Sequence, residues 1–292
     1  IEDNPMRHVG DIYEQVVWGD QPLGRSVIGT RDAIITTDRS KMHSYLTSHY
    51  RKSNLIIGIA GKYDSRTIKA RIQKAFADLP DGKPPVYAPV KEKQSKPKAL
   101  ILPKQTEQAH LCLGYRTFPR ADERRYALKL LNIILGANMS SRLFTEIREK
   151  RGLCYFVHSS PSAYLDTGTL DIQAGLDLKR LPLAIEAILH EVDLFKTARV
   201  TAAELKKAKN FLKGRTVLAL EDTDGLIQWL GMQQLLDGEI KKLEDVFAIL
   251  DKVSPPEIQE LAKQIFQPDR LNLALICPNK TISLNKVQSL LK

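Results

Sequence analysis

The sequence has no apolar run long enough to cross a membrane. Its longest apolar stretches, NLIIGIAG (54–61) and LNLALIC (271–277), are far shorter than the roughly 20 residues that a transmembrane helix needs. No signal peptide or lipidation motif is present; the start at Ile1 resembles an internal cut, which would remove a targeting segment from view. With 43% hydrophobic and 27% charged residues, the chain fits a soluble globular protein without a membrane partner.

Cysteine is scarce. Cys112, Cys154 and Cys277 are an odd number, lie far apart and form no CxxC pair, which argues against a disulfide framework or a zinc ribbon. Their apolar surroundings predict buried small hydrophobic residues. Unpaired cysteines favour a reducing compartment and so the cytoplasm, although the sequence leaves the localisation otherwise open.

Complete catalytic motifs are also missing. None of the six histidines belongs to an HExxH or HxxEH motif, and no GxSxG elbow, P-loop or GxGxxG occurs. Cys154 and His158 stand four residues apart on a predicted strand, a spacing of about 13 Å that is too long to hold one ion. We therefore predict no metal ligand and no complete catalytic site in this chain, and no activity of the chain on its own.

The formal charge of +10 is high enough to raise the question of nucleic-acid binding. The densest basic run, KEKQSKPK (91–98), has no aromatic residue on which a base could stack. The basic residues are otherwise spread along the chain, which favours a solvated lysine-rich surface. Nucleic-acid binding is the weakest of the hypotheses considered.

What the sequence does contain is an alternation of helical and strand-like segments, which predicts the α+β class. Strands are predicted at 54–61, 98–103, 108–118, 154–160, 168–176 and 271–277, and residues 182–267 are mostly helical, with candidate N-caps at Thr201 and Ser254. The proline-rich, charged stretch 80–98 is typical of a linker, which we place at 86–97. The predicted domains are therefore 1–85 and 98–292.

An internal repeat relates the two parts. Thr37–Phe76 and Ser254–Leu291 each read as a helix ending near an aromatic residue, a polar turn, Asn-Leu, an apolar strand and a second helix. If the unit is duplicated, far fewer residues precede the first copy than the second. The first domain is then expected to lack most of its front half.

The segment LFTEIREKRGLCYFV (143–157) joins a charged helical run to an apolar strand. Arg148 and Tyr155 lie on either side of the junction, with Gly152 between them. One interpretation is an ordinary helix stop, in which cations complement the helix dipole, Gly152 ends the helix and Tyr155 packs in the sheet. The other is that Arg148 and Tyr155 are directed at a common ligand.

A family resemblance bears on this choice. GANMSSRLFTEIREKRGLCYFV (136–157) resembles the second-half signature of the insulinase/pitrilysin-like zinc metallopeptidases, the inverted-motif peptidases related to mitochondrial processing peptidase. Residues 2–34, 49–64 and 201–238 are similar to other parts of the same family, in the same order. The resemblance therefore covers essentially the whole chain.

The resemblance implies two homologous domains, each a mostly antiparallel sheet with helices packed on it, of which the first is incomplete here. In this family the first domain binds Zn²⁺ through HxxEH and a later Glu, and the second contributes an Arg and a Tyr that bind the peptide. These two positions match Arg148 and Tyr155, whereas the zinc ligands are not in this chain.

The leading hypothesis is therefore the C-terminal part of a zinc endopeptidase that encloses peptides or unfolded segments. Its zinc-bearing half would be the missing N-terminal region or a separate partner chain, and a homodimer stays open. The alternative is a non-catalytic binding or scaffold subunit of such a peptidase. An HxxEH motif upstream of Ile1 in the parent reading frame would decide between them.

Overall fold

Five apolar segments form one sheet in the computed structural model, which describes residues 2–278 and 282–291. The strands are β1 Lys98–Pro103, β2 Ala109–Thr117, β3 Cys154–Ala163, β4 Gly168–Leu176 and β5 Leu271–Cys277, in the order β1-β5-β2-β4-β3. Only β1 and β5 run parallel; the other neighbours are antiparallel. The α+β class and these five strand positions are therefore confirmed.

Helices account for most of the remaining described chain. In chain order they are α1 Pro5–Trp18, α2 Arg31–Thr36, α3 Arg39–His49, α4 Ser65–Ala75, α5 Arg125–Leu135, the π-helix Phe144–Lys150, α6 Leu181–Thr197, α7 Ala202–Ala219, α8 Thr223–Leu236, α9 Leu243–Lys252, α10 Pro255–Ile265 and α11 Leu284–Leu290. No helix in the described part of the chain combines the length and apolar character that a membrane crossing requires.

The main core lies between one face of the sheet and helices α5, α6 and α10. Alternate strand residues such as Leu113, Ile172 and Leu273 point to this face and pack with Leu131 and Ile188, all at most 1% exposed. Fully burying one such side chain contributes roughly 1.5–3 kcal/mol. The charged junction 143–157 is anchored to this core by Leu143, Ile147 and Leu153.

Helix α1 covers part of the opposite face. Asn4 caps its first turn by accepting a hydrogen bond from the Arg7 amide, and Pro5 occupies the position where no amide donor is needed. Val17 and Trp18 pack against Cys112 and Ile276. The rest of this face, on β3 and β4, carries polar side chains.

The chain forms two compact units. Unit 1 comprises the described residues of 1–25, 90–213 and 243–292, and contains the sheet; unit 2 comprises 26–89 and 214–242. The domain boundaries predicted from the sequence, 1–85, 86–97 and 98–292, stay a prediction.

Unit 2 has no apolar core of its own. All of its residues are described, and Gln233 is the one buried side chain among them. The strand predicted at 54–61 does not form, because a strand needs a hydrogen-bonded neighbour and the segment has none in the described chain. Ile56 and Ile57, on its two faces, are 40% and 41% exposed.

The repeat predicted from the sequence therefore takes two different forms. In Ser254–Leu291, of which 279–281 lie outside the described residues, α10 is followed by the fully buried β5 and then by α11. In Thr37–Phe76 the helices α3 and α4 form, but the segment between them stays unpaired. The apolar sequence is similar, and only the presence of neighbouring strands differs.

Candidate functional site

The junction at 143–157 contains three backbone irregularities within a dozen residues. The first is the π-helix Phe144–Lys150, which takes the place of the α-helix expected from the sequence. π-helical turns are rare and are often found at functional sites. The helix is fixed to the core by Ile147, which is fully buried, so that the residues after it face solvent.

The second irregularity is the left-handed Gly152, with φ of +57°. Its amide donates to the Arg148 carbonyl at 3.2 Å, and the Leu153 amide donates to the Ile147 carbonyl at 2.9 Å. This is the left-handed stop that ends many helices, and it favours glycine because a Cβ strains the backbone there. The prediction that Gly152 ends the helix is confirmed.

The third is a β-bulge at the start of β3. Cys154 pairs with Leu176 and Phe156 pairs with Gly175, so two steps along β3 match one step along β4. Tyr155 is the extra residue, and its side chain is 67% exposed. Bulges redirect a side chain away from the regular alternation of a strand. The interpretation in which Tyr155 packs in the sheet is therefore wrong.

Arg148 is also presented to solvent. Its guanidinium carbon lies 4.8 Å from the centroid of the Phe144 ring, one helical turn earlier. Within the described residues it has no carboxylate partner, whereas the nearby Lys150 is paired with Glu146 at 2.5 Å. Its donors are thus available to a ligand, with the ring of Phe144 restricting the side chain.

The charge of Arg148 acts on Cys154, the first residue of β3. Burial raises the pKa of the Cys154 thiol to about 11, and the charge of Arg148 acts in the opposite direction. Cys154 directly precedes Tyr155, so the cation and the bulge are close enough for the charge to be felt at the strand. Arg148 and Tyr155 are thus both exposed, on either side of the turn at Gly152, and their joint role stays a prediction.

Both side chains are chemically suited to contacts with a peptide. A guanidinium offers a rigid fork of donors suited to carbonyl oxygens. A phenol can donate a hydrogen bond to a carbonyl oxygen on which negative charge develops.

The described residues offer no donor set that fits a zinc ion. No three His, Cys, Asp or Glu side chains come close enough to hold a metal within residues 2–278 and 282–291. Cys154 and His158 both lie on β3 but find no third donor there.

A groove of about 580 Å³ lies elsewhere in unit 1, between the end of α5 and the start of α7. Its lining includes Arg142 and Glu204, whose side chains pair at 2.9 Å, but neither Arg148 nor Tyr155. The predicted site residues thus lie at an exposed junction outside this groove.

Sequence reasoning missed Phe144. Its position four residues before Arg148 puts the ring and the cation on the same side of a helix, a spacing visible in the sequence. The bulge at Tyr155 has no comparable signal, because it depends on the register between β3 and β4.

Comparison with known proteins gives consistent matches. A family model described as the peptidase M16 inactive domain matches residues 36–212. An uncharacterized zinc protease of Streptomyces coelicolor is 32% identical over 285 residues, covering 96% of this chain and 62% of the relative. One of Bacillus subtilis is 33% identical over 279 residues, covering 95% and 67%.

A solved structure agrees at the level of the fold. The peptidase M16 inactive domain from Pseudomonas fluorescens superposes with a TM-score of 0.85 at 20% identity, covering 95% of this chain and 67% of that one. The present chain thus spans less than two thirds of the Streptomyces relative and about two thirds of the other two proteins.

Proposed function

The chain belongs to the peptidase M16 inactive-domain family, and on that premise we propose that it is the peptide-binding part of a zinc endopeptidase. This family membership confirms the resemblance to zinc metallopeptidases that was found in the sequence. In the proposed role Arg148 and Tyr155 hold a peptide or unfolded segment, while the residues that bind Zn²⁺ belong to another part of the parent protein or to a partner chain.

The observation that carries this proposal is the exposed junction. A purely structural Tyr155 would be buried in the sheet, but the bulge leaves it exposed. A purely structural Arg148 would be paired with an acidic residue, but it has no such partner in the described chain. π-helical turns and β-bulges are both found more often than expected next to functional sites.

Each residue has a distinct proposed task. Arg148 donates to carbonyl oxygens of the bound peptide and fixes its register. Tyr155 donates its hydroxyl hydrogen to the carbonyl at the bond being cleaved, and this hydrogen bond strengthens as negative charge develops on the oxygen. Removing one such donor typically lowers turnover by a factor of about 10²–10³.

The exposed apolar surface of unit 2 supports the proposal of a zinc-bearing partner. Ile34, Ile35, Ile56, Ile57 and Met42 are each at least 40% exposed, and no apolar side chain of unit 2 is buried. Such a surface is typical of an interface that another polypeptide covers. The unpaired segment 54–61 would gain hydrogen bonds from a strand of the same partner.

The test is turnover by the full-length parent protein carrying Tyr155→Phe, which removes the hydroxyl and keeps the ring. We expect kcat for an unstructured peptide to fall about 10²-fold with the melting temperature unchanged. Tyr63→Phe is the matched control, since Tyr63 is 50% exposed and lies in unit 2. Unchanged turnover in Tyr155→Phe would refute the proposed role of this residue.

A non-catalytic binding subunit is the second candidate. The observation that favours it is the lack of a zinc donor set in the described residues. An assay of peptide cleavage and peptide binding by the full-length parent protein distinguishes the two candidates. Zinc-dependent peptide cleavage supports the peptidase, whereas peptide binding that depends on Arg148 without any cleavage supports the binding subunit.

A further inference from the structure

A pair of charged residues after β4 contacts the turn that separates Arg148 from Tyr155. Arg180 donates from Nη2 to the Gly152 carbonyl at 2.5 Å and from Nη1 to the Arg151 carbonyl at 3.3 Å. Its Nε donates to Asp177 Oδ2 at 3.0 Å. One guanidinium therefore joins the end of the π-helix to the loop that follows β4.

Asp177 completes the connection through its own backbone. Its amide donates to the Leu153 carbonyl at 3.2 Å. The carbonyls of three successive residues, 151 to 153, are thus all held by Asp177 and Arg180. These carbonyls lie in the turn where the helix ends, and Gly152 is at its centre.

The buried Leu153 holds one side of this turn, and hydrogen bonds hold its carbonyls. A Cβ added to Gly152 would meet no atom within 4 Å, so no side chain packs against Gly152 itself. Carbonyls at a helix end have no partner within the helix and need an external donor. Arg180 supplies that donor to the carbonyls of Arg151 and Gly152. The backbone angles at this turn set the relative orientation of Arg148 and Tyr155.

We propose that Arg180 is a positioning residue for peptide binding, which fixes the angle between Arg148 and Tyr155 by holding the carbonyls of Arg151 and Gly152. The proposal rests on the function proposed above. Arg180 itself touches no substrate. Asp177 orients its guanidinium, and the fork geometry is essential because a single ammonium cannot reach both carbonyls and Asp177 together.

The most direct test replaces the Arg180 guanidinium with an ammonium group, which keeps the positive charge. In the full-length protein, Arg180→Lys is expected to lower kcat/KM for an unstructured peptide about tenfold, because a displacement of about 1 Å in a catalytic group is enough for such a loss. Lys179→Ala is the matched control, since it removes an exposed cation one residue away whose side chain does not contact the turn. It should leave kcat/KM unchanged.

A double-mutant cycle separates positioning from a general effect on folding. In a background that carries Arg148→Ala and Tyr155→Phe, Arg180→Lys should cost nothing further, because there is nothing left to position. Where this background is too slow to assay, the affinity for a fluorescein-labelled unstructured peptide serves as the readout in the same cycle. An equal loss in both backgrounds overturns the proposal.

The outcomes distinguish the two proposals. If Arg148→Ala and Tyr155→Phe leave turnover and peptide affinity intact, the proposed function fails whatever Arg180 does. If they impair both and Arg180→Lys matches Lys179→Ala, only the positioning role fails. Asp177→Asn provides an independent variant, and it should reproduce the Arg180→Lys loss in kcat/KM.

Discussion

A buried carboxyl group on β4 predicts a pH dependence of stability whose sign follows from its burial. Asp171 is 7% exposed and lies on the polar face of the sheet, where Ser160 Oγ donates to it at 3.4 Å. Burial, and then the charge of Glu14 on α1, raise the pKa of Asp171 to about 7 from its usual 3.8. The folded protein therefore holds this proton over a range in which the unfolded chain releases it.

The sign follows from proton linkage. Because the pKa is raised in the folded state, the contribution to stability is complete below pH 3.8 and is lost as the pH rises toward 7. Between about pH 4.5 and about pH 8 the loss amounts to about 3 kcal/mol, since one pKa unit corresponds to about 1.4 kcal/mol. Asp171→Asn does not titrate, so its stability relative to wild type should increase by that amount over the same range.

Urea unfolding followed by Trp18 fluorescence measures this difference. The protein has two tryptophans, so Trp229→Phe makes Trp18, which is buried beside Glu14, the sole reporter of unit 1. Asp269→Asn is the control, because Asp269 is an exposed acid of the same unit. A difference between Asp171→Asn and wild type that stays constant from pH 4.5 to pH 8 would refute the reasoning.

Two further predictions concern the junction and the metal. Gly152→Ala should destabilise unit 1 by about 1 kcal/mol, because its φ of +57° strains any residue with a Cβ even though that Cβ would meet no atom. Gly214→Ala is the opposite case. Gly214 lies within α7 and is equally uncrowded, so the change should stabilise the helix by up to about 1 kcal/mol. Urea unfolding gives both values, and equal signs would contradict the argument. The purified 292-residue chain should carry no stoichiometric zinc, and elemental analysis that finds one tightly held zinc per chain would disprove this.

Much of unit 1 could be predicted from the sequence, because its apolar pattern and its capping residues agree with the contacts that they make in the fold. The apolar run of β5 is buried on both faces, as a central strand should be. Thr201 accepts from the Glu204 amide at 3.1 Å while Glu204 accepts from the Thr201 amide at 2.8 Å, which is the capping box that Thr201 suggested. At β5 and at the start of α7, the local sequence alone was enough to predict the structure.

Other features depend on distant residues and escaped prediction. Asp38 caps α3 although the neighbouring Thr37 is also a suitable cap by residue type, and local propensity does not choose between two such neighbours. The segment 54–61 has a strand-like sequence but lacks a neighbouring strand. Arg180 lies almost thirty residues from the carbonyls it holds, and nothing in the sequence connects them. The assignment of Arg148 and Tyr155 to peptide binding stays a prediction.

The position of β5 has a consequence for how the protein is made. β5 lies between β1 and β2, yet the ribosome synthesises it after every other strand of the sheet. Until it emerges, β1 has no partner and β2 has an open edge, so both stay incompletely paired while residues 118–270 are synthesised. Such edges promote aggregation, and pairings this distant in sequence form slowly. Folding of unit 1 is therefore expected to follow translation and to depend on chaperones that shield β1 and β2 in the meantime.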